Sequence, residues 1–238
     1  MTDKISIYGL TALVCALCLA ATAQAQTSWW RTYGGTSYDC GNSVQQTSDS
    51  GYIVACETYS LGPVTRDVYL IKTDASGDTL WTRIYGRDED QGLSVQQTSD
   101  GGYIVAGETY PFGAAMRDVY LIKTDANGDT LWTRTYGGTS EDFCYSVWQT
   151  ADGGYIIVGR TESYGAGRDD VWLLKTDANG DTLWTRTYGG TSYEGGNSVR
   201  QTPDGGYIIA ASTASYGEGD FDIWLIKTDA QGYAAPWP

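Results

Sequence analysis

Histidine is absent from the 238-residue sequence, and basic side chains are few, since 15 lysines and arginines stand against 29 aspartates and glutamates. Without an imidazole, the chain can form neither a Ser-His or Cys-His nucleophile pair nor a zinc site with a histidine ligand. The formal net charge of −14 would repel a polyphosphate over most of the surface, so we expect no nucleic-acid partner. These two shortages argue against most familiar hydrolases and against nucleic-acid-binding proteins.

The sequence also contains few long apolar runs. One occurs at residues 5–21, and the small-residue sequence Ala23-Gln24-Ala25 follows it. This arrangement predicts a secretory signal peptide over residues 1–25 and a secreted chain, extracellular or periplasmic. The alternative is a retained membrane anchor, but the run is short and Thr11 interrupts it. No later stretch is long enough to span a bilayer, so we expect no membrane span in the mature chain.

Cysteine is also sparse, with five residues, of which Cys15 and Cys18 lie in the predicted signal peptide. The mature chain keeps Cys40, Cys56 and Cys144. A disulfide framework would place an even number of cysteines at matching positions of a repeat, and this set does neither. The sequence therefore assigns no pairing and leaves one pair open.

Self-similarity dominates the rest of the sequence. Tryptophan recurs at intervals of 51 or 52 residues within near-identical segments, at Trp29, Trp81, Trp132 and Trp184. Repeats of this length are typical of propellers and solenoids. The 31 glycines and 19 tyrosines suit a chain of many turns and strands. We predict a domain of four repeats, each of about 52 residues, over residues 26–238.

Each repeat contains four strand-like runs, here named A to D in chain order. Runs B and C are almost continuously apolar, which is typical of strands covered on both faces. Asp100-Gly101 separates A from B and Asn127-Gly128 separates C from D, and such dipeptides form tight hairpin turns. The predicted fold class is all-β and propeller-like, with each repeat forming a four-stranded antiparallel blade. In the second repeat the runs are Ser94–Thr98, Tyr103–Thr109, Asp118–Thr124 and Thr130–Tyr136.

The order of the runs suggests how a ring would close. The mature chain begins with a lone D run near Trp29 and ends with runs A, B and C of a fourth repeat. An N-terminal strand could complete the last blade and close a four-blade ring, which would hide two sheet edges. The alternative is an open arc, whose exposed blade faces would favour a homodimer that forms a larger ring.

Three segments carry a resemblance to a known group of proteins. Asp152–Gly159, Asp170–Asp177 and Gly180–Gly190 resemble the tandem repeats of secreted bacterial and archaeal β-propeller repeat proteins of unknown function, with a kelch-like blade arrangement. The likeness covers nearly all of residues 28–232. It implies the fold and no particular activity, because that group shares no reaction or ligand.

Binding sites on repeated scaffolds usually lie on variable loops. The B-C loops are the variable ones, and several place an aromatic residue before a glycine, at Phe112, Tyr164 and Tyr216. Strand A also varies, and its Trp148 and Arg200 could stack on and hydrogen-bond a sugar or carboxylate. We predict that these five residues contact a protein or glycan partner; the alternative is that they pack within and between blades.

Four acidic residues each precede the serine of an A strand by four positions, and a closed ring would bring them to the channel mouth. Converging carboxylates favour a hard cation with oxygen ligands, so we predict a weak Ca²⁺ site and no other cofactor. The alternative is that these acids cap turns. The four residues are Asp39, Asp90, Asp142 and Glu194.

The predicted function is that of a secreted, non-enzymatic binding or surface-interaction module. The alternative is a carbohydrate-active enzyme with paired carboxylates on the variable-loop face, since such a pair needs no histidine. An enzyme requires unlike environments for its acid and base, so one repeat should carry a buried carboxylate that the others lack. The sequence shows no evident residue of this kind.

Overall fold

The computed structural model describes residues 28–62, 66–86, 89–110 and 116–235, and these residues form fifteen β-strands in four antiparallel sheets. The predicted signal peptide, residues 1–25, lies outside the described residues. In the part of the chain that is described, no helix is long and apolar enough to cross a membrane.

Each sheet is built from one repeat, and consecutive strands pair with each other. The first sheet contains β1 (Asp39–Gln46), β2 (Tyr52–Thr58), β3 (Asp67–Thr73) and β4 (Thr79–Tyr85). The second contains β5 (Glu89–Gln97), β6 (Tyr103–Tyr110), β7 (Asp118–Thr124) and β8 (Thr130–Tyr136). The third contains β9 (Asp142–Gln149), β10 (Tyr155–Thr161), β11 (Asp170–Thr176) and β12 (Thr182–Tyr188). The fourth contains β13 (Glu194–Gln201), β14 (Tyr207–Thr213) and β15 (Asp222–Thr228).

Strand boundaries follow the predicted runs closely except in the A strands. Strand β5 begins at Glu89, five residues before the predicted start at Ser94, and pairs with β6 throughout. The polar residues and Gly92 at its start carry no strand signal, and a β-bulge between Gly92 and Ser94 shifts the register there. The other A strands also begin at or near this acidic position, so the first residues of every A strand lie beside the variable loops.

The sheets stack face to face, so the inner strands of the second and third sheets are covered on both faces. We call the side of a sheet that faces the next repeat its leading face, and the opposite side its trailing face. The leading face of the third sheet consists of Ile156, Val158, Val171 and Leu173, all fully buried. It packs on Tyr207, Ile209 and Ala211 of the trailing face of the fourth sheet. The fold is therefore a stack of propeller blades, as the sequence predicts.

The hairpins between A and B strands hold a buried lysine. Lys175 of β11 is 4% exposed at its side chain, and its Nζ lies 2.9 Å from Oδ2 of Asp152. The same ammonium donates to the carbonyl oxygen of Thr176 at 2.8 Å. Burial acts to raise the pKa of Asp152, but hydrogen bonds from Thr150 and Lys175 hold it below its ordinary value. Because this arrangement recurs with Lys72 and Lys123, these lysines are structural.

Each D strand reaches over the following sheet. Trp81 of β4 packs edge-on against Tyr103 of the second sheet, with ring centroids 5.7 Å apart. Tyr85 Oη donates to the carbonyl oxygen of Gly128 at 2.6 Å, and Arg83 pairs with Asp129 at 3.3 Å. Similar tryptophan, arginine and tyrosine contacts link β8 to the third sheet. These contacts fasten each sheet to the next.

The stack is open. The fourth sheet has three strands within the described residues, and residues 28–38 form no strand. The N-terminal segment lies on the first sheet, where Trp29 packs against Tyr52 and Arg31 pairs with Asp78. The sequence left two arrangements open, a closed four-blade ring and an open arc, and the structure has the open arc. Completion of the last blade by the N-terminal strand, and with it a closed ring, does not occur in this structure.

Candidate functional site

Three of the positions at which the repeats differ lie on the variable-loop face. These positions lie at the start of the A strand, near the end of the B strand and just before the C strand. The residue that follows is the same in all repeats at two of these positions, a threonine after the B-strand position and an aspartate after the position before strand C. In repeat order, the residues are Cys40, Gln91, Phe143 and Gly195; Glu57, Glu108, Arg160 and Ser212; and Arg66, Arg117, Asp169 and Phe221.

The second and third of these positions form an ion pair whose polarity reverses along the stack. In the second repeat, Glu108 Oε2 lies 3.8 Å from an arginine nitrogen of Arg117. In the third repeat the charges exchange places, and Arg160 donates to Asp169 at 2.7 Å. The first repeat has the polarity of the second, and the fourth repeat has serine and phenylalanine instead. Because of this reversal, the B-strand position carries an acidic residue, Glu108, in the second sheet and a basic residue, Arg160, in the third.

Glu108 is the carboxyl group with the most perturbed environment in this region. Its side chain is 3% exposed, and its Oε2 accepts a hydrogen bond from Gln91 at 2.8 Å. Burial raises the pKa of Glu108 to about 7, although the positive charges of Arg117, Arg66 and Arg160 and the hydrogen bond from Gln91 act to lower it. A group with this pKa can exchange a proton near neutral pH.

Phe143 lies between the charged groups of the second and third sheets. The guanidinium carbon of Arg160 is 4.0 Å from its ring centroid, and that of Arg117 is 5.8 Å away. The positive charge on Arg160 is thus shared between the aromatic face and the carboxylate of Asp169. Asp169 is itself 3% exposed, and its Oδ1 is buried without a hydrogen-bond partner in the described residues.

A cavity of about 210 Å³ opens between the third and fourth sheets at this point. Charged, amide and aromatic side chains together line this cavity. We call this cavity and the residues Glu108, Arg117, Phe143, Arg160 and Asp169 the rim cluster. The cavity is lined chiefly by Tyr145, Arg160, Asp169, Tyr193, Asn197 and Phe221.

The predicted binding residues on the A strands do not belong to the rim cluster. The guanidinium carbon of Arg200 lies 4.3 Å from the ring centroid of Trp148, so these two residues do stack on each other across two sheets. They lie near the ends of β13 and β9, however, which places them towards the short A-B hairpins. The pair therefore defines a second surface, at the opposite end of the strands from the cavity.

The predicted aromatic residues of the B-C loops pack on the sheets beside them. Tyr164 lies against Trp172 with centroids 5.6 Å apart, and its Oη donates to the carbonyl oxygen of Gly137 at 2.8 Å. Tyr216 repeats this arrangement with Trp224 and Gly189. Phe112 lies outside the described residues. Tyr164 and Tyr216 therefore make the contacts expected if they pack within their own blades. A ligand role for them stays a prediction.

The four acids of the predicted calcium site belong to four separate sheets, and three of them have closely similar partners. Asp142 accepts hydrogen bonds from Thr161, Ser163 and the backbone N–H of Gly138, and Glu194 bonds the matching groups of the fourth sheet. Burial acts to raise the pKa of Asp39, but hydrogen bonds from Thr58, Gly35 and Ser60 lower it on balance. These are the contacts of turn caps.

Metal-binding geometry is not found in the described ranges. No group of three or more aspartate, glutamate or cysteine side chains there is placed to hold a metal ion. In an open stack the D-A connections do not converge on a single channel mouth, which removes the reason for grouping Asp39, Asp90, Asp142 and Glu194. Calcium binding thus stays a prediction without an assembled ligand set in this part of the chain.

Fold and site together define a propeller-like repeat protein with a polar cavity between its third and fourth sheets on the variable-loop face. The sequence matches no known family model. It is 30% identical to the regulatory protein FlaEY of Caulobacter vibrioides over 52% of this chain, which spans 16% of that protein.

Two solved structures are similar in fold. One is a protein of unknown function from Bacteroides caccae, with a TM-score of 0.55 and 12% identity over 82% of this chain. The other is an α-L-arabinanase from Penicillium chrysogenum complexed with arabinobiose, with a TM-score of 0.54 and 13% identity over 82% of this chain. The chain spans 59% and 63% of these two proteins, respectively. At such low identity the likeness shows the fold alone.

Sequence reasoning missed the rim cluster although its signal is present. Asp169 is a buried carboxylate that no other repeat has at its position, so the statement that no repeat carries such a residue is wrong. Aligning the repeats shows Arg66, Arg117, Asp169 and Phe221 in one column. The alignment could not show that Asp169 is buried, because a residue beside a loop is normally exposed to solvent.

Proposed function

We propose that the chain is a secreted, non-enzymatic binding module and that the rim cluster is its ligand site. The observation that carries this proposal is that five residues of the three variable positions line one cavity, namely Arg160, Asp169, Gly195, Ser212 and Phe221. A scaffold that needed only stability would have no reason to reverse an ion pair in a single repeat. Differences among repeats that line a cavity are the expected result of selection for a ligand.

The chemistry of the cavity favours a neutral glycan. Arg160, Asp169 and Asn197 can hydrogen-bond hydroxyl groups, while Tyr193 and Phe221 offer exposed rings for the apolar face of a sugar. The buried Oδ1 of Asp169 can accept from a hydroxyl that reaches it. A cavity of about 210 Å³ admits one sugar ring rather than a long chain. The net charge of −14 disfavours an acidic polysaccharide.

Substitution of Phe221 tests this site. We expect Phe221→Ala to weaken binding of a neutral disaccharide by about five- to thirtyfold, because a stacking ring contributes on the order of 1 to 2 kcal/mol. The measurement is titration calorimetry with a panel of neutral disaccharides that includes arabinobiose, the sugar bound by the arabinanase. Phe221 is 61% exposed, so the variant should fold normally.

Two other aromatic residues serve as controls for this experiment. Tyr164→Ala removes an exposed ring that packs on its own sheet, and Trp148→Ala removes the ring that stacks under Arg200. Neither should change the affinity measurably. If Trp148→Ala abolishes binding while Phe221→Ala does not, the ligand site lies at the short-hairpin end instead. If no variant affects binding, the rim cluster is not the site.

A carbohydrate-active enzyme is the second candidate, and the raised pKa of Glu108 favours it. A glycosidase needs one protonated and one ionised carboxyl group, and Glu108 and Asp169 differ in partner and repeat. On this hypothesis the protein hydrolyses an oligosaccharide, and an arabinan fragment is the first substrate to test because the arabinanase shares the fold. Glu108→Gln should then lower kcat by about 10² to 10⁴ while leaving KM nearly unchanged. Product release that is undetectable in the wild-type protein would eliminate this candidate.

A further inference from the structure

The leading face of the fourth sheet is an apolar surface with no fifth sheet on it in the described residues. Ile223 is 93% and Leu225 68% exposed, whereas Val171 and Leu173, their counterparts in the third sheet, are completely buried. Leu225 is also the counterpart of Leu121 in the second sheet, which is equally buried. The leucine is the same residue in all three sheets, so its exposure differs because no sheet follows the fourth one in the described residues. Ile223, Leu225 and Ala210 form what we call the terminal face.

The outer edge of β15 is available for a further strand. In the other sheets this edge pairs with a D strand, as β11 does with β12. Beside β15 the described chain offers a single bridge, between Thr228 and Ala234. A groove of about 540 Å³ occupies the place of the strand, between Trp224–Lys227, Arg186–Gly189 and the tail around Ala234.

At the other end of the stack, a strand-like segment lies on a sheet without belonging to one. Residues 28–33 contact the first sheet as β4 contacts the second. Trp29 packs on Tyr52 at 5.7 Å, and Tyr33 Oη donates to the carbonyl oxygen of Gly77 at 2.6 Å. Val44, on the trailing face of the same sheet, is 66% exposed, although its three counterparts are buried. The front end therefore has the D segment that the back end lacks.

We propose that a second copy of this chain docks head to tail, with its N-terminal segment supplying the fourth strand of the last sheet. The internal interfaces fix the register. Lys175, Leu173 and Val171 pair with Trp184, Arg186 and Tyr188. By the same register, Lys227, Leu225 and Ile223 pair with Trp29, Arg31 and Tyr33 of the second copy.

This head-to-tail contact also covers the apolar surfaces at both ends of the stack. The terminal face meets Val44 and Val54 on the trailing face of the second copy's first sheet, as leading and trailing faces meet three times within one chain. The occupant is a second copy rather than the chain's own N-terminal segment, because that segment is held on the first sheet, at the far end of an open stack. Heterologous contacts of this kind close into a ring or continue as a filament, depending on curvature.

Sedimentation equilibrium of the whole protein over a range of concentrations tests the proposal. We expect the average mass to rise with concentration and the backbone amides of β15 to gain protection from hydrogen exchange as it does. Ile223→Asp places a charge in the contact and should weaken association by about thirtyfold or more. Leu183→Asp changes a leucine of similar exposure that lies on β12, away from the terminal face, and should leave association unchanged.

Mixing two variants shows whether the contact is head to tail. Ile223→Asp disables the back end and Val44→Asp the front end, so each variant alone should remain a monomer. Together they retain one intact interface and should form a one-to-one complex. A wild-type protein that is monomeric at every concentration overturns the proposal. Association that survives in Val44→Asp but not in Ile223→Asp also overturns it, because that result means pairing of two β15 edges.

Discussion

Leu173→Ala is expected to lower the free energy of unfolding by about 3 kcal/mol, because it removes a fully buried side chain from the core between the third and fourth sheets. Leu173 lies opposite Arg186 on β12 and Val158 on β10, in the middle of its sheet. Neighbouring side chains on a rigid antiparallel sheet cannot collapse into the space, so the cavity adds to the lost hydrophobic transfer energy.

Leu225→Ala is the matched control, since it makes the same change at the same position of the next repeat. Leu225 is 68% exposed, so the loss should be below about 0.5 kcal/mol in dilute solution. Urea unfolding monitored by tryptophan fluorescence measures both values. Equal losses for the two variants would mean that the last sheet is covered as fully as the third and that the stack is not open.

Gly154→Ala is expected to destabilise the fold by about 2 to 3 kcal/mol through a backbone clash. A Cβ atom on Gly154 would lie 2.2 Å from the carbonyl oxygen of Thr176 and 2.6 Å from Nζ of Lys175. That carbonyl group accepts the hydrogen bond of the buried ammonium, so neither atom can move without breaking the pair. All repeats have glycine here, at Gly51, Gly102, Gly154 and Gly206.

Gly153→Ser is the control for this second prediction. Gly153 has a φ of +83° with no atom within 4 Å of an added Cβ, so only the left-handed backbone opposes the change. The first repeat already has Ser50 at this position with a φ of 69°. The loss should be about 1 kcal/mol. Thermal unfolding should rank Gly154→Ala as the more damaging; the opposite order would show that backbone conformation limits this turn rather than space.

The strands of the repeat could be predicted because their signals are local. Apolar runs and Asp-Gly or Asn-Gly turns determine β6, β7 and β8 almost to the residue. The start of β5 was missed because polar residues and Gly92 resemble a loop until their pairing with β6 is known. The rim cluster was not predicted for a similar reason, since the burial of Glu108 and Asp169 depends on contacts with neighbouring sheets.

By itself, the sequence determined the repeat, the antiparallel pairing within each sheet and the apolar character of both sheet faces, because all three depend on residues close together in the chain. Tertiary structure alone decided that the stack stays open, that Arg117 and Arg160 of neighbouring repeats meet at Phe143, and that Ile223 and Leu225 face solvent. The physical reason is that curvature accumulates over successive sheet contacts. A small rotation at each interface separates a closed ring from an arc, and no local pattern specifies that rotation.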